Sequence, residues 1–279
     1  MYFVASRSLF AICDHKINNP ESESRRIPET YPTKYGETIY CHPTALKNFI
    51  LNYLPNLKHK FILVSGDSDL TVPTDIQEET LKILEHPLLL YWYAQNCVKP
   101  SEKLKQLPIG LDFHTDMKNN PYKFLKLPQI TIQSQEEEIK NNSFIIEKKN
   151  KCYGNFHFVM HTKYGLDRKQ AYMQIPSSLI DYEFTRISRK ECWKKMSKYK
   201  FIVSPHGNGL DCHRTWEALA LGSIPIVKTS PLDPLFNDLP VLIVKEWSDI
   251  NQELLDSFNK SQNLEKLTLS YWKTLITKE

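Results

Sequence analysis

Short apolar runs alternate with amphipathic segments along the first half of the chain. The runs 61–64, 88–91 and 107–109 predict buried strands, and the segments 43–54 and 74–84 carry the spacing of helices. An alternation of strands and helices is typical of domains built on a parallel sheet. The first half is therefore predicted to be an α/β domain.

The second half repeats this alternation after a polar stretch rich in Lys, Asn, Gln and Glu. The pattern predicts helices at 168–173 and 189–199 and strands starting at Asn155 and covering 201–203, 224–227 and 241–244. We predict two α/β domains, residues 1–145 and 146–279, joined between about 115 and 150. The C-terminal helices are expected to pack back on the first domain.

The segment from Tyr199 to Val227 is the most informative part of the pattern. A short apolar run is interrupted by a loop with Pro205, Gly207 and Gly209, and a helix and a second apolar run follow. This is a βαβ unit whose loop and helix start face the carboxyl end of a parallel sheet. Ligands of α/β proteins bind at that end.

Polar residues are concentrated at the start of this predicted helix. Arg214 and Glu217 are three positions apart and project from one helical face. An arginine near a helix N-terminus suits a diphosphate, and a glutamate one turn later suits the two hydroxyls of a ribose. The alternative is an exposed ion pair between the two, worth ~0.3 kcal/mol.

Composition narrows the class of protein without identifying it. Charged residues make up 24% and hydrophobic residues 41% of the 279 positions, as in ordinary soluble domains. The net charge of +4 is small, and the lysines and arginines are scattered rather than gathered in a stripe, so the charge gives no support for nucleic-acid binding. It is compatible with an anionic small ligand. No apolar run approaches 18 residues, so no membrane span is expected, and the N-terminus lacks the basic start of a signal peptide.

The spacing of the cysteines and the lack of common phosphate-binding motifs argue against several kinds of site. The six cysteines form no CxxC pair, which argues against a zinc site and a disulfide framework and favours a reducing, cytosol-like compartment. Neither a G-x-x-x-x-G-K-[ST] nor a G-x-G-x-x-G motif occurs. The sequence therefore carries neither of the motifs that usually indicate binding of a nucleoside triphosphate or a dinucleotide.

The sequence SPHGNGLDCHRTWEALALGSIPIV, followed by PLFNDLPVLIV, resembles the C-terminal signature of exostosin-like glycosyltransferases. In that signature a strand and glycine loop precede an arginine, a glutamate within EAL and a G-x-I-P-I/V run. The match is specific over about 198–250, whereas the N-terminal half matches loosely. The chain is most similar to compact members encoded by large DNA viruses, including xylosyltransferases of the chlorovirus type.

The resemblance implies a fold and a reaction. The fold is GT-B-like, with two Rossmann-like domains facing across a cleft. The reaction is inverting transfer of a sugar, xylose by the same resemblance, from a UDP-sugar to a glycan or glycoprotein acceptor, such as an N-glycan. No metal is obligatory, and the expected location is the cytoplasm, that of the host for a viral protein.

Donor binding is assigned to residues around the βαβ unit. Arg214, the glycine loop and the helix start would stabilise the leaving diphosphate, with Arg168 as a second cation and Glu217 on the ribose. Thr229 and Ser230 follow the second strand and would touch the nucleotide or sugar. The full set of predicted donor-site residues is Arg168, His206, Gly207, Asn208, Gly209, Asp211, Arg214, Glu217, Thr229 and Ser230.

The catalytic base is expected from the N-terminal domain. Asp69 is preferred because Asp67 has the alternative of organising the turn, and Asp112 is the next choice. His42 and His114 are further candidates for the base or for acceptor binding, and Asn96 for positioning acceptor hydroxyls. Asp67 and Asp69 also have the D-x-D spacing of metal-dependent transferases, so a divalent metal is not excluded. A binding module without catalysis is the main alternative function.

Overall fold

Two parallel sheets form the frame of the protein. The computed structural model describes residues 1–17, 29–115, 130–143, 147–158, 160–258 and 263–278. Within them the strands are β1 (His15–Lys16), β2 (Glu37–Tyr40), β3 (Phe61–Ser65), β4 (Leu89–Gln95), β5 (Leu104–Leu107), β6 (Lys149–Gly154), β7 (Ile180–Tyr182), β8 (Tyr199–Val203), β9 (Ile224–Lys228) and β10 (Leu242–Val244).

Helices connect and cover these strands. They are α1 (Ser6–Ile12), α2 (Gln77–Leu84), α3 (Ile132–Ser143), α4 (Leu166–Gln174), α5 (Arg189–Met196), α6 (His213–Ala220), α7 (Gln252–Ser257) and α8 (Leu269–Thr277), with a continuous helical stretch over 43–56. Asn251 and Thr268 accept hydrogen bonds from backbone N–H groups at the starts of α7 and α8.

The first sheet has the order β1-β2-β3-β4-β5, and every pair is parallel. All five residues of β3 are buried, as expected for a parallel strand covered on both faces. Leu63 packs with the 43–57 region and α2, whereas Ile62 and Val64 point to the opposite side.

The second sheet has the order β10-β9-β8-β6-β7, again with parallel pairs. The chain leaves β6 for the edge strand β7 and then returns to pair β8 with β6 on its other side. The strand order therefore reverses between β6 and β8. In open α/β sheets, ligands bind outside the carboxyl ends of the strands at such a point.

One hydrophobic core joins the two sheets. Val64 of the first sheet and Ile202 of the second belong to the same cluster, together with Trp216 of α6. Helix α8 returns to the first unit, where Leu269 N–H donates to Tyr2 O at 2.9 Å. The carboxyl edges of both units line one cleft, which is the GT-B-like α/β architecture predicted from the sequence.

Two strand predictions were misplaced. β5 ends at Leu107 rather than covering 107–109, and β6 is Lys149–Gly154, so residues 155–158 form the loop after a strand rather than the strand itself. In both cases residues predicted to lie in a strand instead follow its carboxyl end. The boundary at 145/146 remains a prediction, and residues 116–129 of the predicted connection lie outside the described residues.

No helix in the part of the chain that the structure describes is long and apolar enough to cross a bilayer.

Candidate functional site

A cavity of about 1000 Å³ lies in the cleft. Residues from the first unit, including Asp69 and Asp112, line one side, and the loops after β6, β7 and β8 line the other. The cavity therefore lies at the β6/β8 reversal, where the topology of the second sheet predicts a ligand.

Two arginines meet at this reversal. Arg168 of α4 donates from Nη1 to His157 O after β6 at 3.0 Å and from Nε to His206 O after β8 at 3.2 Å. Arg214 in the first turn of α6 donates from Nε to Asn155 Oδ1 at 3.0 Å. Both line the cavity, and among the described residues neither forms an ion pair.

The burial and the proximity of these two positive charges favour the binding of an anion. Burial and the nearby charge of Arg214 lower the pKa of Arg168. Nη1 of Arg214 is buried and has no hydrogen-bond partner among the described residues. A buried guanidinium donor without an acceptor is costly, and an anionic ligand would satisfy it.

The glycine loop is shaped around Arg168. A Cβ added to Gly207 would lie 2.3 Å from Arg168 Nη2, so any larger residue here would displace the Arg168 guanidinium from its present position. Gly207 N–H donates to Gly209 O at 3.0 Å, which closes the loop ahead of α6. Asn208 also lines the cavity.

Arg189 joins the two units inside the cleft. Its Nη2 contacts Asp112 Oδ2 at 2.5 Å and its Nη1 contacts Glu217 Oε1 at 2.6 Å. The side chains of Arg189, Asp112 and Glu217 are 17%, 8% and 7% exposed. Although burial opposes ionisation, the charge of Arg189 holds the pKa of Asp112 well below its usual range.

This bridge changes the interpretation of two predicted residues. Asp112 already accepts hydrogen bonds from Arg189 and from the Thr115 hydroxyl, at 2.6 Å for the latter, which disfavours it as a catalytic base. Glu217 pairs with Arg189 rather than with Arg214, its neighbour one turn earlier. No hydrogen bond to Glu217 Oε2 falls within the described residues, so that oxygen is open to a ligand.

Asp211 and Asn96 hold the two units together, although Asp211 also lines the large cavity. Asp211 Oδ2 accepts from Ile109 N–H at 2.7 Å, and both carboxylate oxygens accept from Trp216 Nε1. Asn96 is fully buried and accepts from Asp211 N–H at 2.9 Å. Burial raises the pKa of Asp211 to about 6. These contacts favour structural roles over the donor and acceptor roles predicted for them.

His42 and Asp67 organise the turn after β3. His42 Nε2 lies 2.7 Å from Asp67 O, and its Nδ1 lies 2.8 Å from the Thr44 hydroxyl. Asp67 adopts a positive φ of 63° and its carboxylate pairs with Arg7 at 3.0 Å. Asp69 differs, because it is exposed at the cavity and no hydrogen bond or ion pair of its carboxylate falls within the described residues.

The remaining predicted donor residues line a different cavity of about 530 Å³. His206, Thr229 and Ser230 face it, and its lysines are already neutralised: Lys163 pairs with Asp75 and Lys228 with Glu246, both at 2.7 Å. The predicted donor set is therefore divided by the 204–211 loop. Of the two cavities, only the larger is lined by Lys or Arg side chains that have no acidic partner among the described residues, including Arg168 and Arg214.

The sequence analysis missed an aromatic surface at the rim of the large cavity. Phe158 and Phe184 stack with centroids 6.0 Å apart and are 38% and 68% exposed. The sequence analysis placed Phe158 inside a strand and predicted no strand before Phe184. It therefore did not identify either residue as part of a loop at the carboxyl edge. Exposed rings beside arginines can stack on a nucleobase or a sugar.

The chain has distant structural similarity to known proteins. No family model and no curated protein matches. A UDP-forming α,α-trehalose-phosphate synthase from Burkholderia xenovorans is similar at 10% identity and a TM-score of 0.43, covering 87% of this chain and 70% of that chain. An α,α-trehalose 6-phosphate synthase from Burkholderia multivorans is similar at 11% identity and a TM-score of 0.42, covering 86% of this chain and 67% of that chain. The fold of this chain is defined by its own two parallel sheets.

Proposed function

We propose that the protein is a nucleotide-sugar-dependent glycosyltransferase that binds the donor diphosphate between Arg168 and Arg214. The observation that supports this most is the buried Nη1 of Arg214 without a partner among the described residues, at the β6/β8 reversal. A diphosphate supplies acceptors for both arginines. The N-terminus of α6, which begins at His213, adds favourable polarity for the same anion.

The remaining donor contacts follow from the groups around this anion. Glu217 Oε2 is available for ribose hydroxyls while Oε1 stays on Arg189. Phe158 and Phe184 offer a stacking surface for the base. The two arginines would stabilise the negative charge that accumulates on the leaving diphosphate during transfer.

Asp69 is the proposed base for an inverting reaction. It is exposed at the cavity, follows β3 of the first unit, and forms no hydrogen bond or ion pair with a described neighbour. A base in that position would accept the proton of the acceptor hydroxyl as the hydroxyl attacks the sugar. Asp67 and Asp112 are less suitable because Arg7 and Arg189 engage them.

The finer assignments rest on the sequence resemblance alone. They are membership of the exostosin-like family, UDP-xylose as the donor, a glycan of a glycoprotein as the acceptor, and a cytoplasmic location. A non-catalytic nucleotide-sugar or glycan-binding module is the second candidate, because the same arginines would hold a nucleotide without transfer.

The test is a turnover assay with matched variants. Purified protein is incubated with UDP-xylose, UDP-glucose, UDP-galactose or UDP-N-acetylglucosamine, with and without a panel of oligosaccharides and glycopeptides, and released UDP is measured. We expect release with one donor, enhanced by an acceptor, and loss of at least about tenfold in Asp69→Asn. Asp75→Asn, an aspartate paired with Lys163 beside the smaller cavity, is the control.

The outcomes separate the candidates. Nucleotide binding without release for any donor would favour the binding module. UDP release that is unchanged in Asp69→Asn would refute the assignment of Asp69 as the base but not the proposed transferase activity. Absence of both binding and release would refute the proposed function.

A further inference from the structure

A side-chain cluster beside the arginines has the composition of a metal site. One ligand atom from each of Asp112, His114 and His213 lies within 4.8 Å of the other two. The residues come from two different segments, the loop after β5 and the first residue of α6. We propose that Asp112, His114 and His213 bind one divalent transition-metal ion at the base of the cleft.

Hydrogen bonding prepares His213 to be a ligand. Its Nδ1 lies 2.8 Å from Gly110 O, and because a carbonyl oxygen only accepts, Nδ1 carries the proton. Nε2 is then left with its lone pair. Metal-binding histidines commonly donate their other ring nitrogen to a backbone carbonyl in this way, which fixes both tautomer and orientation.

The second histidine is held close to the first and to the carboxylate. His114 Nδ1 lies 3.1 Å from Asp112 Oδ1, and the rings of His114 and His213 have centroids 5.7 Å apart at 64°. Small rearrangements of two imidazoles and one carboxylate at these separations bring three ligand atoms onto one ion.

The carboxylate is anchored from outside the cluster. The Arg189 guanidinium and the Thr115 hydroxyl both donate to Asp112 Oδ2, and the backbone N–H groups of His114 and Thr115 donate to Oδ1 at 3.1 and 2.9 Å. Ligating carboxylates are usually hydrogen-bonded in this manner. Arg189 also binds Glu217, so two carboxylates and one guanidinium give a formal charge of −1 with both histidines neutral. These three side chains therefore contribute a net negative charge next to the proposed ion.

The ligand set indicates the class of metal. Two imidazole nitrogens and one carboxylate oxygen suit Zn²⁺, Co²⁺ or Ni²⁺ better than Mg²⁺ or Ca²⁺, which prefer all-oxygen sets. Three protein ligands leave a position for water or a substrate oxygen, as in catalytic zinc sites. Asp112 and His213 line the 1000 Å³ cavity, so both the ion and a small ligand have access.

This site differs from the metal position that the sequence suggested. The D-x-D aspartates are unsuited to a shared ion, because Asp67 pairs with Arg7 whereas Asp69 is exposed at the cavity. The proposed site uses histidines that are 99 residues apart in sequence. It does not depend on the proposed transferase activity.

The experiment titrates tag-free, metal-stripped protein with Co²⁺ and, separately, with Zn²⁺. Binding is followed by calorimetry, and the visible absorption of Co²⁺ reports nitrogen ligation. We expect one ion per chain, and a loss of affinity of at least about tenfold in His114→Gln and in His213→Gln. Glutamine keeps an N–H that can donate to Gly110 O. His59→Gln, at an exposed histidine, should bind as the wild type does.

Each outcome decides the proposal. One-to-one binding that weakens in both cluster variants and not in His59→Gln supports it. Absence of binding by the wild type, or binding that survives in both cluster variants, overturns it. Thermal unfolding confirms that the variants are folded, and where one of them is not, the other decides. UDP binding measured on the same preparations is a separate result, so failure of the metal site and failure of the donor site are distinguishable.

Discussion

Replacing Arg189 with methionine tests whether this residue links the two units through two buried carboxylates. The Arg189→Met variant keeps most of the aliphatic stem, including packing near Trp193, whose ring centroid lies 5.7 Å from the guanidinium carbon. It removes the charge shared by Asp112 and Glu217, which are 8% and 7% exposed. The perturbation therefore leaves two buried carboxylates without their cation.

The expected cost follows from the burial of all three groups. Removing one partner of a buried pair is destabilising by about 3–5 kcal/mol, because the remaining charge is left uncompensated. The matched control is Lys190→Met at the next residue, where the lysine is 73% exposed and pairs with Glu138 at 3.0 Å. An exposed pair of this kind is worth about 0–1 kcal/mol.

The pH dependence has a defined sign. The pKa of Asp112 is lowered in the folded state, so its ionised form stabilises the protein above the unfolded pKa of about 3.9, and this stabilisation is lost as the pH falls further. The variant lacks this contribution at neutral pH. The difference between wild type and Arg189→Met should therefore be largest near pH 7 and shrink in acid.

Urea unfolding of the wild type and both variants at pH 7 and at pH 2.5, well below the unfolded pKa of Asp112, measures these differences. The reasoning would be refuted by a cost of Arg189→Met below about 1 kcal/mol at pH 7, or by a cost equal to that of Lys190→Met. A cost that grows in acid would contradict the assigned sign.

Three further changes test other parts of the structure. Gly207→Ala would displace the Arg168 guanidinium, because the new methyl group would otherwise lie 2.3 Å from Nη2. It should therefore weaken UDP binding by about 1.5–3 kcal/mol with little change in the unfolding midpoint, as measured by calorimetry and urea unfolding. Because burial raises the pKa of Asp211 to about 6, its stabilising protonated form is lost as pH rises through that value, so the penalty of Asp211→Asn should be larger at pH 4 than at pH 7.5 in urea unfolding. Trp247→Phe removes the Nε1 donor to buried Asp167 at 2.7 Å and should cost about 1–3 kcal/mol in the same assay, whereas a change within 0.5 kcal/mol would show that the hydrogen bond is not needed.

The βαβ unit was predictable because its signals are local. The apolar run of β8, the glycines of the loop and the helix of α6 follow one another within 199–220, and the structure places them as predicted. The position of α6 at the carboxyl edge then followed from the parallel topology alone. Arg214 and Arg168 both line the larger cavity, and their role in donor binding stays a prediction.

The errors arose where tertiary contacts override the local pattern. β6 carries Lys149 and Lys151, so its sequence does not read as a central strand, although it pairs with both β7 and β8. The following segment NFHF has an alternating pattern but forms a loop that Arg168 holds through His157 O. A propensity for strand is therefore not sufficient to place one.

Partners distant in sequence were beyond local analysis. Arg189 lies 77 residues from Asp112 and 28 from Glu217, and no spacing rule joins them. The helix spacing of Arg214 and Glu217 instead suggested a pair that the structure does not form, because Glu217 turns to Arg189. Asp211 and Asn96 likewise resemble ligand-binding residues in sequence, whereas their contacts are internal.

The most direct test of the account is calorimetric titration of UDP into the wild type, Arg214→Gln and Lys228→Gln. Arg214 faces the large cavity with a buried donor, whereas Lys228 faces the smaller one and is paired with Glu246. We predict that UDP binds the wild type and Lys228→Gln alike and that Arg214→Gln weakens binding by about ten- to hundredfold, as for a lost charged hydrogen bond. Binding that depends on Lys228 and not on Arg214, or no binding of UDP to the wild type at millimolar concentration, would contradict the account.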